Sequence, residues 1–171
     1  MKIKNIIKKG IIIMVAFALI PILSILASAT NCVGLNVNGD SAYRADIVIV
    51  GHGWTESELP DFYDNVNYIS DYLLTMQPYS DYSDMVNIWY INQSADLGCK
   101  WPGPTCNATL VTALASQCSY DKVYVLVNDT RFGGAGNPFM SLGTIHPTIK
   151  GQLFAHEFGG HCFWELMEEY V

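Results

Sequence analysis

The sequence predicts an α/β domain built in three layers around a mixed sheet, with the helix that carries the chemistry near its C-terminal end. Three observations predict it. Short β-rich runs recur at 45–50, 85–91 and 123–127. Helix-period stretches lie between them, and strands alternating with helices favour a sheet covered by helices. A final apolar stretch, from about 148 to 170, carries two histidines and a glutamate.

The chain has 171 residues, enough for one modest domain with its own core. Its first 29 residues are expected to stand apart from that domain. Lys2, Lys4, Lys8 and Lys9 open the chain, an apolar run follows from Gly10 to Ala27, and Ala27-Ser28-Ala29 supplies small residues for cleavage. That order reads as a secretory signal peptide. A membrane is expected as a partner only through an uncleaved leader; the run is near the lower limit for a span, and Pro21 and the cleavage site argue for its removal. The expected domain is therefore 30–171, on the extracellular side or in the cell envelope. Without the leader, Arg44, Lys100, Lys122, Arg131 and Lys150 face sixteen acids. So acidic a surface repels phosphate backbones and argues against a nucleic-acid partner.

Within the domain, 30–43 is small and polar and reads as a lead-in. Ala45-Asp46-Ile47-Val48-Ile49-Val50 is a buried strand that delivers the turn Gly51-His52-Gly53. Thr55 and Glu58 have capping-box spacing, and Leu59, Phe62, Val66, Ile69 and Leu73 recur three or four apart, as one helix face requires. Pro60 sets the start near itself and Pro78 the stop. A second strand spans 85–91, a short helix 108–117 and a third strand 123–127. Arg131-Phe132-Gly133-Gly134-Ala135-Gly136 then forms a glycine-rich stretch, read as an exposed edge, a mobile loop or a plain turn.

Five cysteines follow the leader, and export permits disulfides. One bridge is expected among Cys99, Cys106 and Cys118, without a fixed pairing. The count is odd, and Cys162 is the expected unpaired thiol. Sequons at Asn92, Asn107 and Asn128 matter only in a host that glycosylates exported proteins.

The chemistry concentrates in His156-Glu157-Phe158-Gly159-Gly160-His161. Two neutral imidazoles and a further protein ligand can hold zinc with one position open for water. A glutamate beside the first histidine can take that water's proton and give it to a leaving amine. The usual helical arrangement is HExxH, with histidines four apart. Here they are five apart. Four residues advance about 40° past a full turn, five about 140°, so a regular α-helix would point the rings apart. A π-bulge absorbs one extra residue and often marks a functional site. The misfit falls on Gly159-Gly160, where the backbone is most permissive, although two glycines cost a helix roughly 2 kcal/mol relative to alanines. His52 and His146 read as turn and loop residues, with His52 also able to line a cleft.

Three blocks together resemble the IgA metallopeptidase family of secreted zinc endopeptidases. They are 45–56, ending Gly51-His52-Gly53-Trp54-Thr55-Glu56; 125–136, from Val125 through Asn128-Asp129-Thr130 to Gly136; and 156–170. They occur in the family's order across most of the domain. The resemblance implies a zincin-like fold, zinc ligands at His156 and His161, and Glu157 as general base. It aligns Glu168-Glu169 with the family's acidic pair before a tyrosine, and Glu168 is the preferred third ligand. A continued helix would carry Glu168 seven residues past His161, about 10 Å along the axis and out of reach. A chain that turns back after Phe163 would bring Glu168 or Glu169 to the metal. By the same resemblance, 133–136 forms an edge on which a peptide lies as an added strand. The sequence departs from the family in its extra glycine between the histidines and in Trp164-Glu165, where the family has two glycines.

The expected function is zinc-dependent hydrolysis of peptide bonds in protein or peptide substrates by a secreted endopeptidase. The alternative is an inactive or C-terminally truncated secreted binding domain that keeps the fold.

Overall fold

A computed structural model describes residues 30–167. The expected signal peptide, 1–29, lies outside the described residues. Eight strand and α-helical segments precede the last one. Strand β1 is Cys32–Asn36, β2 Ala45–His52, helix α1 Leu59–Leu74, β3 Val86–Ile91, α2 Ala108–Ala115, β4 Lys122–Val127, β5 Gly134–Gly136, β6 Met140–Thr144 and α3 Lys150–Phe154. A π-helix, Ala155–Phe163, continues directly from α3.

The strands form one six-stranded sheet in the order β1-β3-β2-β4-β6-β5. The four inner strands run parallel. Both edges are antiparallel, β1 on β3 and β5 on β6. The mixed α/β class expected from the sequence is the class observed. Strand β2 lies near the centre, buried on both faces, which is why its sequence is a continuous apolar run without alternation. Ile47 and Ile49 face a core shared with Phe62, Val66, Ile69 and Leu73 of α1 and with Phe154, Phe158 and Cys162 of the last helical segment. Val48 and Val50 point the other way, toward Val111, Leu114 and Ala115 of α2. Successive side chains of a strand point to opposite faces, so one strand supplies both cores.

Helix α1 buries the face read from its periodicity; Phe62, Val66, Ile69 and Leu73 are fully inaccessible. Its entry is a 3₁₀ turn, Glu56–Glu58, and Pro60 occupies the first helical turn, where no amide donor is needed. The Glu58 carboxylate accepts from the Thr55 amide at 2.9 Å, as the capping spacing anticipates. The helix stops at Leu74, four residues before Pro78.

Two strands, β1 and β6, escape the sequence reading, and β5 is the edge it left open beside a loop or a turn. β1 lies in the stretch read as a lead-in, and the disulfide Cys32–Cys118 fixes it beside α2. Its five residues include a glycine and an asparagine, so propensity gives no signal. Gly34 is required there because a β-carbon would meet the Trp89 ring and stand 2.6 Å from Val37. β5 and β6 are short and rich in glycine, serine and threonine, and tertiary pairing rather than propensity makes them strands. The second disulfide, Cys99–Cys106, closes the Trp-Pro-Gly-Pro loop, and Cys162 remains a free, buried thiol. Among the described residues, no helix is long and apolar enough to cross a membrane.

Candidate metal centre

The π-helix resolves the five-residue spacing. The sequence calls for a single bulge at Gly159-Gly160; the observed π conformation runs over nine residues, from Ala155 to Phe163. Bonding from i to i+5 stacks residues five apart, so His156 and His161 come onto one face. Their ring centroids are 4.7 Å apart and the rings are nearly perpendicular. Phe154 and Phe158 anchor the opposite side. They stack at 5.0 Å, and Phe154 meets Tyr124 edge-on at 4.5 Å. The Tyr79 hydroxyl donates to the Gly159 carbonyl at 2.9 Å, a bond that ties the wide turn to the segment after α1. Gly159 also accepts from the Trp164 amide, an i+5 bond of 3.3 Å that ends the helix.

The chain then reverses. Glu165 takes a left-handed φ of 56°, and the Leu166 amide bonds to the Gly160 carbonyl. The reversal places the Leu166 carbonyl 2.7 Å from His161 Nδ1. A carbonyl can only accept, so Nδ1 carries the proton and Nε2 presents its lone pair. Of the two courses open to the sequence after Phe163, the turn back is the one taken. Glu168, the preferred third ligand, lies outside the described residues.

His156, Glu157 and His161 each offer a ligand atom, and these atoms lie within 4.8 Å of one another. His161 Nε2 and His156 Nε2 are 3.2 Å apart. Two nitrogens each about 2.0–2.1 Å from one tetrahedral zinc would be roughly 3.3–3.4 Å apart, so the pair fits that ion. His156 is open to solvent, whereas Glu157 and His161 are only 8% and 9% exposed. The donor set therefore has one accessible side. Beneath it, burial pushes the Tyr124 phenol well above its ordinary range, and the nearby Glu157 charge adds to the effect. Burial likewise raises the Cys162 thiol, which stays protonated as a core residue.

Edge strand β5 passes directly over this centre. A β-carbon on Gly134 would lie 2.7 Å from Glu157 Cγ, and one on Gly136 would lie 2.7 Å from His161 Cβ. These two glycines share one face of the strand, and Ala135 between them packs into the other core. The alternation Gly-Ala-Gly is what lets the edge lie against the helix. The 133–136 stretch is thus an edge, one of the readings the sequence left open. Beside it a cleft of about 540 Å³ runs from His156 and Glu157 toward Phe132 and Pro104.

The other two histidines stay apart from the cluster. His52 ends β2, and its Nδ1 accepts the Leu97 amide at 2.9 Å. His146 sits in the loop before α3, with Nδ1 near Thr148. Sequence reasoning missed the Leu166 carbonyl, because a backbone group that orients a ligand leaves no trace in residue type. It also missed the clearance role of Gly134 and Gly136, although their spacing of two was a usable signal.

The family model described as IgA Peptidase M64 matches residues 33–114, from β1 through most of α2. This is the family the sequence resembles. The first resembling block falls inside the match, and the second block and the His156–His161 segment lie beyond it. No curated protein matches the chain.

Proposed function

Proceeding from the match of its N-terminal half to a peptidase family, we propose that this chain is a secreted zinc metalloendopeptidase with a zincin-like, three-layer catalytic domain. The single observation that carries the reading is the convergence of His156 and His161 across a π-helical turn, beside a buried Glu157 and under a sheet edge. Helices on both faces of the sheet support the fold assignment. Two disulfides support export, since such bonds persist in oxidising compartments.

His156 and His161 would hold the ion through Nε2, and Glu168 is the proposed further ligand. Zinc bound there would polarise the scissile carbonyl and make a water acidic enough to attack near neutral pH. Glu157 would take the proton from the attacking water and return it to the leaving amine. Its burial keeps that carboxylate away from bulk water, which strengthens its interactions with the reacting atoms. β5 would align the substrate. Its outer edge offers backbone donors and acceptors to an extended peptide, which adds as a further strand next to the metal.

The test is Glu157→Gln in the full chain. The enzyme reading expects the variant to keep zinc and lose about 10²–10⁴-fold in peptide hydrolysis. A non-catalytic secreted binding domain would hydrolyse no peptide in either form, and that result would end the enzyme reading.

A further inference from the structure

The cleft beside the metal centre has walls of a definite chemistry. Phe132, Ile149, Leu153 and Pro104 supply apolar surface, and Gln152 adds one amide. Among the described residues, Glu157 is the only carboxylate or ammonium-type group lining it. A basic substrate side chain would find no carboxylate there, among the described residues, besides the general base. An acidic one would face that base directly, at the cost of like-charge repulsion.

The walls are held in place. Gly134 leaves the floor bare, since a β-carbon there would stand 2.7 Å from Glu157 Cγ and 2.9 Å from Leu153 Cδ1, and Gly133 packs against the Trp101 ring, which a β-carbon would approach to 2.8 Å. Trp101 and Pro104 belong to the loop closed by Cys99–Cys106, and the Arg131 guanidinium lies over the Trp101 ring at 5.5 Å. Phe132, on the rim, is 71% exposed, a large aromatic surface that a bound side chain would cover. The volume exceeds what one side chain needs and is continuous with Glu157.

We propose that this cleft binds a large apolar side chain, such as Leu, Met or Phe, from the substrate residue next to the scissile bond, and so sets the specificity of the site. The assignment rests on the peptidase reading for the word scissile, but the cleft and its preference can be tested without turnover. Phe132 and Ile149 are the specificity-determining residues, and neither belongs to the catalytic group.

The experiment has two arms. Zinc-loaded Glu157→Gln protein is titrated with blocked pentapeptides that differ only at the central residue: Phe, Leu, Lys, Asp or Gly. Wild type is profiled on a fluorogenic library with the same variation. Binding of the Phe and Leu peptides at least tenfold tighter than Gly, Lys or Asp is expected, with the preference lost in Phe132→Ala. Ile149→Glu should move the preference toward Lys. Equal binding of all five peptides, or a profile that Phe132→Ala and Ile149→Glu leave unchanged, overturns the proposal. Apolar-selective binding without cleavage by wild type upholds the cleft assignment and defeats the peptidase reading instead. Cleavage without apolar preference does the reverse.

Discussion

The Leu166 carbonyl oxygen lies 2.7 Å from His161 Nδ1, and it gets there through a reversal at Glu165. A bond of this kind fixes the ring and its tautomer, and losing one typically weakens metal affinity 10–100-fold. Proline cannot adopt the left-handed φ that Glu165 occupies. Glu165→Pro should therefore weaken zinc binding by that factor in a chelator competition. Glu165→Gly, which adopts such a φ without penalty, should retain wild-type affinity. Equal affinity in all three proteins would show that the reversal plays no part in holding the ligand.

Two glycines near the centre should behave oppositely. Gly136 has no room for a methyl group, because His161 Cβ stands 2.7 Å from the position it would take. Gly136→Ala should force β5 off the helix, lower stability by about 1–3 kcal/mol and remove most hydrolysis. Gly160 faces open space among the described residues. Gly160→Ala should raise stability by up to about 1 kcal/mol if the wide turn accepts alanine. Denaturant unfolding of both variants checks the pair, and a loss of stability in Gly160→Ala would mean that the turn itself needs glycine.

The disulfides should differ in worth. Cys32–Cys118 spans 86 residues and Cys99–Cys106 spans 7. On the chain-entropy account the longer loop stabilises by roughly 4–5 kcal/mol and the shorter by roughly 2–3 kcal/mol. Replacing the first pair with serines should unfold the domain more readily than replacing the second. The second replacement should instead loosen the cleft wall and flatten substrate preference. A reversed order of stability would contradict the entropic account here.

His52 should make the fold sensitive to mild acid. Burial holds its imidazole below the ordinary 6.5, against a smaller opposing pull from the Asp96 carboxylate. The unfolded chain therefore binds more protons in the interval beneath 6.5. Stability contributed by neutral His52 is fully present above 6.5 and is lost as pH falls toward the folded value. Nδ1 accepts the Leu97 amide, a bond that protonation removes. Denaturation measured on either side of 6.5 should show this loss in wild type and a smaller one in His52→Gln. The same slope in both would assign the acid sensitivity elsewhere.

The parts of the fold legible in the sequence are those where burial is one-sided or complete. The 45–50 run, the α1 face and the 123–127 run each place apolar residues at the period their structure demands; the two strands stand within two residues of their expected bounds, whereas α1 ends four residues before the Pro78 expected to stop it. β1 and β6 were hidden because they pair with strands more distant in sequence, β3 and β4, and carry little strand preference of their own, and for β5 the glycines left edge, loop and turn equally open. At the centre, the five-residue histidine spacing and the glycine pair pointed to a widened helical turn. Its nine-residue extent was not legible, since it depends on the Tyr79 hydroxyl and on aromatic packing beneath Phe154 and Phe158.

The central claim is that His156 and His161 converge on one ion across a π-helical turn. A zinc titration of the purified chain against a chromophoric chelator, run with His156→Ala and His161→Ala, tests it most directly. The account predicts one zinc per chain, and a loss of tight binding in each variant while both remain folded. Wild type that retains no zinc, or histidine variants that bind it as tightly as wild type, would contradict it.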